Sequence, residues 1–146
     1  MKVLIAVITH SRPEGLKTLL RSLQSLAVPE NTKVEICVVD NDCTGNNDKI
    51  IEEFNNAPTK INFIKEPKMG IVFARNAAVD FLLQSDYDAL VFIDDDEWTK
   101  DEYWLQNLLE AQAQTDADIV TSDVFTIPEN KYIEWTRFAM GRGKNK

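Results

Sequence analysis

Three adjacent carboxylates, Asp94, Asp95 and Asp96, are the feature of the sequence that points most directly to chemistry. They follow the apolar run 89–93, which has the composition of a buried β-strand. Neighbouring carboxylates repel one another, and a hard divalent cation would compensate them, since Mg²⁺ is held by one or two carboxylates together with phosphates and water. An acidic turn before a helix would contain the same residues. The pattern alone leaves a metal site and an acidic turn equally open.

Two further polar segments follow apolar runs and contain candidate ligand-binding residues. The first runs from Thr9 through His10 to Arg12, and the second begins at Asp40. The Asp40 carboxylate could accept hydrogen bonds from a ribose or a base, or from its own turn. His10 is the single histidine, and a contact to a base or ribose is a better interpretation than a metal ligand. Neither segment has the glycine spacing of a dinucleotide fingerprint or of a P-loop.

Arg75 is a fourth candidate, because it is the only charged residue between Lys68 and Asp80. It lies in an apolar stretch that predicts a helix over 71–83. An arginine in this position needs an anionic partner. The sequence leaves a phosphate contact and an internal salt bridge open.

Strands and helices that alternate along the chain must position these residues. Apolar runs predict strands, and periodic apolar residues between them predict helices, two of which would begin in capping boxes at Ser11 and Thr99. The predicted strands cover residues 3–8, 34–39, 61–64, 89–93 and 118–127. This alternation is typical of parallel α/β sheets, in which ligands bind at the carboxyl ends of the strands. The polar segments are therefore predicted to meet at one edge of a sheet.

Composition excludes several other classes of protein. The 146 residues correspond to one domain, and the net charge of −8 argues against nucleic-acid binding through a basic face. Two cysteines and one histidine cannot build a Cys/His zinc site. The first apolar run is shorter than a signal peptide or a membrane span requires. We therefore expect a cytoplasmic protein, with peripheral attachment to the inner face of a membrane as an alternative.

Four segments in order resemble the glycosyltransferase family 2 proteins, which have the GT-A fold. They are residues 7–13, 38–41, 70–78 and 91–97, and the last contains the DxD element of that family. The resemblance implies a three-layer α/β/α, Rossmann-like fold with a mostly parallel sheet. It also implies transfer of a sugar, with inversion, from a nucleotide-diphospho-sugar (a UDP-sugar above all) to a glycan or lipid acceptor in polysaccharide biosynthesis.

The resemblance also implies roles for individual residues. The nucleotide-sugar-binding set would be Thr9, Arg12, Asp40, Arg75, Asp94 and Asp95. Within it, Thr9 and Asp40 would contact the base or ribose, and Arg75 the base or the diphosphate. Asp96 and Asp94 would hold Mn²⁺ or Mg²⁺, which stabilises negative charge on the leaving nucleoside diphosphate.

The chain departs from this family in its length. Family members continue into an acceptor-binding half that supplies the catalytic base, whereas only Glu129 and Glu134 follow Asp123 here, and neither lies in a recognisable motif. We expect a donor-binding domain over 1–128 and a remnant or basic tail over 129–146, the fold being truncated after the donor-binding half. A fragment, a naturally short homologue and a frameshifted gene all remain open. Aromatic residues in the tail predict sealing of a sheet edge or self-association into a homo-oligomer.

Two other functions remain open on the sequence alone. A metal-dependent nucleotidyltransferase also uses paired aspartates on an α/β sheet, although its glycine-rich basic phosphate loop is missing after the first strand. A non-catalytic module that holds a nucleotide or docks on a partner enzyme fits a chain without an acceptor half.

Overall fold

A computed structural model describes residues 1–42, 45 and 47–124 of the chain, and the fold is stated for these residues. Helices and strands alternate in the predicted order. The elements are β1 (Lys2–Thr9), α1 (Pro13–Gln24), β2 (Lys33–Asp40), α2 (Asn47–Glu53), β3 (Ile61–Lys65), α3 (Ile71–Leu83), β4 (Ala89–Asp94) and α4 (Trp104–Thr115). Among the described helices, none is long and apolar enough to cross a membrane.

The strands form one parallel sheet in the order β3-β2-β1-β4. The central strand β1 pairs with β2, where Thr9 lies opposite Asp40, and with β4, where Ile8 lies opposite Asp94. A helix follows each strand, as parallel neighbours require a crossover connection. The carboxyl ends of β1, β2 and β4 therefore lie side by side, as the sequence predicts.

Both faces of the sheet are buried, which explains why the strands are continuous apolar runs rather than alternating ones. On one face, Val3, Ile5 and Val7 of β1 pack against the leucines of α1 and Leu105 of α4. On the other face, neighbouring side chains of β1 pack against α3. The contacts on that second face include Leu4, Ala6, Ile8, Ala74 and Ala78. The three-layer α/β/α fold is confirmed.

The fifth predicted strand is wrong in the part that the structure describes. Residues 118–124 form no strand, and the Ile119 and Val124 side chains are 87% and 73% exposed. A strand needs a hydrogen-bonded neighbour and a buried face, and this segment obtains neither from the described residues. The rest of the predicted strand, the boundary at residue 128 and the 129–146 tail lie outside the described residues.

Neither predicted capping box forms. Ser11 adopts a left-handed φ of 55°, and its Oγ donates a hydrogen bond to Asp42 Oδ2 at 2.7 Å, so α1 begins without a side-chain cap. Thr99 donates its backbone N–H to Ser22 Oγ at 3.3 Å, and α4 begins only at Trp104, again without a side-chain cap. In both places a contact with a distant element replaces the local pattern.

Candidate functional site

The candidate site lies at the carboxyl edge of the sheet, where β1, β2 and β4 end in Thr9, Asp40 and Asp94. The turn after β4 adds Asp95 and Asp96 to the same edge. The structure thus brings together residues that are far apart in sequence, as the positions of the strand ends predict.

Asp95 is the buried anchor of this edge, with 5% of its surface exposed. Its Oδ2 accepts hydrogen bonds from Thr9 Oγ1 at 2.9 Å and from His10 N at 3.3 Å. Its Oδ1 accepts a third from Arg12 Nη1 at 3.2 Å. A buried carboxylate requires such partners, because burying an unpaired charge costs a large free energy. These contacts hold the loop after β1 against the turn after β4.

Asp96 is exposed and forms an ion pair with Arg12. Arg12 Nη1 lies 2.6 Å from Asp96 Oδ2, the shorter of its two contacts with the acidic turn. The hydrogen bond to Asp96 is the main reason why the pKa of Arg12 is raised above its usual value. One guanidinium therefore compensates two of the three carboxylates.

Asp94 has a different cationic partner, Arg75 of α3. Arg75 Nη2 lies 3.2 Å and 3.4 Å from the two Asp94 carboxylate oxygens. The guanidinium carbon also lies 5.6 Å from the centroid of the Phe92 ring. This is the internal salt bridge that the sequence left open beside a phosphate contact. Both charged side chains remain partly exposed, at 44% and 43%, and are within reach of a ligand at this edge.

A metal ion was the compensating cation that the sequence suggested, and in this structure Arg12 and Arg75 supply that charge. Within the described residues, no three His, Cys, Asp or Glu side chains converge closely enough to hold a metal ion. Asp94 and Asp96 nevertheless keep 43% and 59% of their side-chain surface exposed. Two accessible carboxylates fit a site in which Mg²⁺ or Mn²⁺ takes its remaining ligands from phosphates and water.

Asp40 and His10 make contacts within the protein at the neighbouring strand end. Asp40 is fully buried, and its Oδ1 accepts a hydrogen bond from the backbone N–H of Asp42 at 3.1 Å. This is the turn contact that the sequence left open beside a ribose or base. His10 Nδ1 lies 3.3 Å from the carbonyl oxygen of Asn41. Asp40 ends β2 and His10 directly follows β1, so both residues lie at the carboxyl edge of the sheet.

Asn41 connects this edge to the segment before α3, a role that its sequence pattern did not predict. Its side chain is 4% exposed and makes three hydrogen bonds to backbone groups of the segment that precedes α3. Nδ2 donates to Glu66 O at 2.9 Å and to Lys68 O at 2.7 Å, and Oδ1 accepts from Gly70 N at 2.8 Å. Its position directly after Asp40, at a strand end, was the signal in the sequence.

Gly15 is a second residue whose role was not predicted from the sequence. A Cβ atom at this position would lie 2.3 Å from the backbone oxygen of Asp95, closer than real contacts allow. Glycine therefore lets the acidic turn pack directly on α1. The signal was a glycine inside the first turn of a helix, where most other residues have a higher helix propensity.

Comparison with known sequences gives a family and a relative. A model described as "Glycosyl transferase family 2" matches residues 4–145. The succinoglycan biosynthesis protein ExoM of Rhizobium meliloti (strain 1021) is 36% identical over 121 residues. The alignment covers 82% of this chain and 38% of ExoM, so the chain spans less than two fifths of that relative's length.

Solved structures share the fold. S. aureus TarS 1–349 is similar with a TM-score of 0.68 at 21% identity, over 88% of this chain and 39% of TarS 1–349. TarS 1–349 was also solved in complex with UDP and with UDP-GlcNAc. The mannosyltransferase PcManGT from Pyrobaculum calidifontis, in complex with GDP-Man and Mn²⁺, has a TM-score of 0.66 at 20% identity, over 76% of this chain and 32% of PcManGT.

Proposed function

Because this chain belongs to glycosyltransferase family 2, we propose that it is the donor-binding part of a glycosyltransferase that uses a nucleotide-diphospho-sugar and a divalent cation. The observation that carries the proposal is the convergence of Thr9, Asp40, Arg75 and the acidic turn at one edge of the sheet. Complexes of similar structures with UDP, UDP-GlcNAc and GDP-Man support the donor class. Similarity to ExoM supports a role in polysaccharide biosynthesis. Family membership favours sugar transfer over nucleotidyl transfer.

The side chains at this edge would contact different parts of the donor. Asp40 and Thr9 are fully buried at the ends of β2 and β1, so they would accept hydrogen bonds from the base or ribose only after the neighbouring loops move. Arg75 would donate hydrogen bonds to phosphate oxygens, which guanidinium groups bind well. Asp94 and Asp96 would hold Mn²⁺ or Mg²⁺, an ion that, when bound, stabilises the charge of the leaving diphosphate.

Sugar transfer also requires an acceptor hydroxyl and a base that removes its proton as the hydroxyl attacks the anomeric carbon. In an inverting enzyme the attack comes from the face opposite the diphosphate. None of the described residues is assigned as that base. The proposal for the described residues is therefore limited to binding of the donor and the cation.

A thermal-shift experiment with UDP, in Mn²⁺ and in EDTA, tests the proposal. We expect UDP to raise the Tm more in Mn²⁺, because a ligand present at about 100 times its Kd stabilises the folded state by about 2.7 kcal/mol. The Asp96→Ala variant should lose the part of the shift that depends on metal. Asp86→Ala is the matched control, since Asp86 is also an exposed partner in an ion pair, with Lys2 at the start of β1.

Two results would count against the proposal. An equal UDP shift in Mn²⁺ and EDTA refutes the metal site, and an equal loss in Asp86→Ala and Asp96→Ala refutes the role of Asp96. No shift with UDP, GDP or another nucleoside diphosphate refutes donor binding by this chain.

A further inference from the structure

We infer that Asn41 is a positioning residue for the donor site: its carboxamide fixes the start of α3 and thereby the place of Arg75. This inference rests on the proposed function for the ligand that Arg75 meets. The backbone N–H of Asn41 donates to Thr9 O at 2.9 Å, which anchors Asn41 to the end of β1. Its side chain then reaches across to the segment that leads into α3. Asn41 thus connects the ends of β1 and β2 with the segment that leads into α3.

A carboxamide is the side chain that these partners require. An asparagine has one carbonyl oxygen and two N–H donors, and here the oxygen accepts from Gly70 while the two donors reach Glu66 O and Lys68 O. An aspartate of the same shape would place one carboxylate oxygen against two carbonyl oxygens. An alanine would leave buried backbone groups without partners, which is costly.

The contact with Gly70 sets where α3 begins. Gly70 occupies the N-cap position with a φ of 129°, a conformation that other residues rarely adopt, and the helix has no side-chain cap of its own. The Gly70 carbonyl accepts hydrogen bonds from Phe73 N at 3.0 Å and Ala74 N at 3.3 Å, which start the first turn. Arg75 follows in the second turn, where it meets Asp94. Loss of the Asn41 contact would therefore move Arg75 as well as the loop.

The Asn41→Ala variant tests this inference against a matched control. Gln24→Ala removes a carboxamide that also bridges backbone groups, since Gln24 Nε2 donates to Thr59 O at 2.9 Å and Oε1 accepts from Thr59 N at 2.8 Å. Gln24 ends α1, at the opposite edge of the sheet. Both variants should lower the Tm. Only Asn41→Ala should raise the Kd for UDP, by about 10-fold or more, because binding depends steeply on the position of the groups that contact the ligand.

Two further measurements separate positioning from general destabilisation. Amide hydrogen exchange should become faster across 66–75 in Asn41→Ala and stay unchanged there in Gln24→Ala. In the Arg75→Ala background, Asn41→Ala should have little further effect on the Kd for UDP, because Asn41 would affect UDP binding only through the position of Arg75. Asn41→Ser replaces Asn41→Ala if the alanine variant does not fold.

The results distinguish this inference from the proposed function. A wild-type Kd for UDP in Asn41→Ala, or equal effects of Asn41→Ala with and without Arg75, would show that Asn41 is purely structural and overturn the inference. Absence of UDP binding by the wild-type chain would overturn the proposed function, and the positioning of Arg75 for a donor would fall with it. Unchanged hydrogen exchange across 66–75 would show that the side-chain hydrogen bonds of Asn41 do not hold this segment in place, and this would also overturn the inference.

Discussion

Replacing Gly15 with alanine should destabilise the protein by forcing the acidic turn away from α1. The new Cβ would lie 2.3 Å from the Asp95 backbone oxygen and 3.4 Å from its carbonyl carbon. The nearest atom belongs to the backbone, so no side-chain rotation can relieve the contact. To restore an ordinary separation, α1 and the turn must move apart by about 1 Å, which is a large shift in a close-packed interior.

Two opposing effects determine the size of this change. Alanine is the better helix former by about 1 kcal/mol, which favours the variant. Overpacking costs about 1–3 kcal/mol, and a rigid backbone neighbour places Gly15 in the upper part of that range. The net loss in the free energy of unfolding should therefore be about 1–2 kcal/mol, equivalent to a fall in Tm of about 3–10 °C for a domain of this size.

Thermal unfolding followed by circular dichroism measures the effect, with Gly45→Ala as the control. A Cβ at Gly45 would meet Asp42 Oδ2 at 3.5 Å and Asn47 Nδ2 at 3.6 Å, both ordinary contacts, so the control should stay within about 0.5 kcal/mol of the wild type. Displacement of Asp95 should also weaken its hydrogen bond with Thr9 and reduce UDP binding. A Tm equal to or above that of the wild type in Gly15→Ala would refute the close approach.

Two further predictions concern groups away from the candidate site. Desolvation raises the pKa of the Glu35 carboxyl, but three side-chain hydrogen bonds, one of them from Tyr87 Oη at 2.9 Å, outweigh it and hold the pKa below its usual value. A lowered carboxyl pKa stabilises the fold above the unfolded-state pKa, and this stability is lost as the pH falls through the folded-state pKa. Tyr87→Phe should therefore cost about 1–2 kcal/mol in denaturant unfolding at pH 7 and clearly less at pH 3; equal losses at both values would contradict this reasoning. Burial raises the pKa of the Cys37 thiol to about 12. In a Cys43→Ser background, iodoacetamide at pH 8 should label Cys37 in urea but not in the native protein, and rapid native labelling would show that the thiol is accessible.

The strands could be predicted because burial on both faces of the sheet requires continuous apolar runs in the sequence. Strand β1 has no exposed face that would require alternating polar residues, and α1 has leucines at helical spacing. Once the strands are parallel and connected by helices, their carboxyl ends must share an edge. Thr9, Asp40 and Asp94 could therefore be placed together before any contact was known.

The remaining features depend on contacts between distant parts of the chain, which local patterns do not encode. Ser11 lies in the sequence pattern of a helix cap, but its hydroxyl instead donates a hydrogen bond to Asp42. Asn41 matters because the segment before α3 passes beside it, and Gly15 because the turn after β4 packs on α1. Residues 118–124 have the composition of a strand without a neighbour to pair with among the described residues. In each case, tertiary geometry determines the outcome.

The distribution of charge at the acidic turn explains how the fold accommodates three adjacent carboxylates. Asp95 is buried and held by hydrogen bonds, so it is the structural member of the three. Among the described residues, the charged partner of Asp94 is Arg75, and exposed ion pairs of this class typically contribute about 0–1 kcal/mol. Under the proposed function, a divalent cation would replace Arg75 as the partner of Asp94, and a diphosphate would replace Asp94 as the partner of Arg75. Cation and UDP should therefore bind more tightly together than either does alone. The cation would compensate the Asp94 carboxylate that UDP leaves unpaired, and the diphosphate would compensate the Arg75 guanidinium that the cation leaves unpaired.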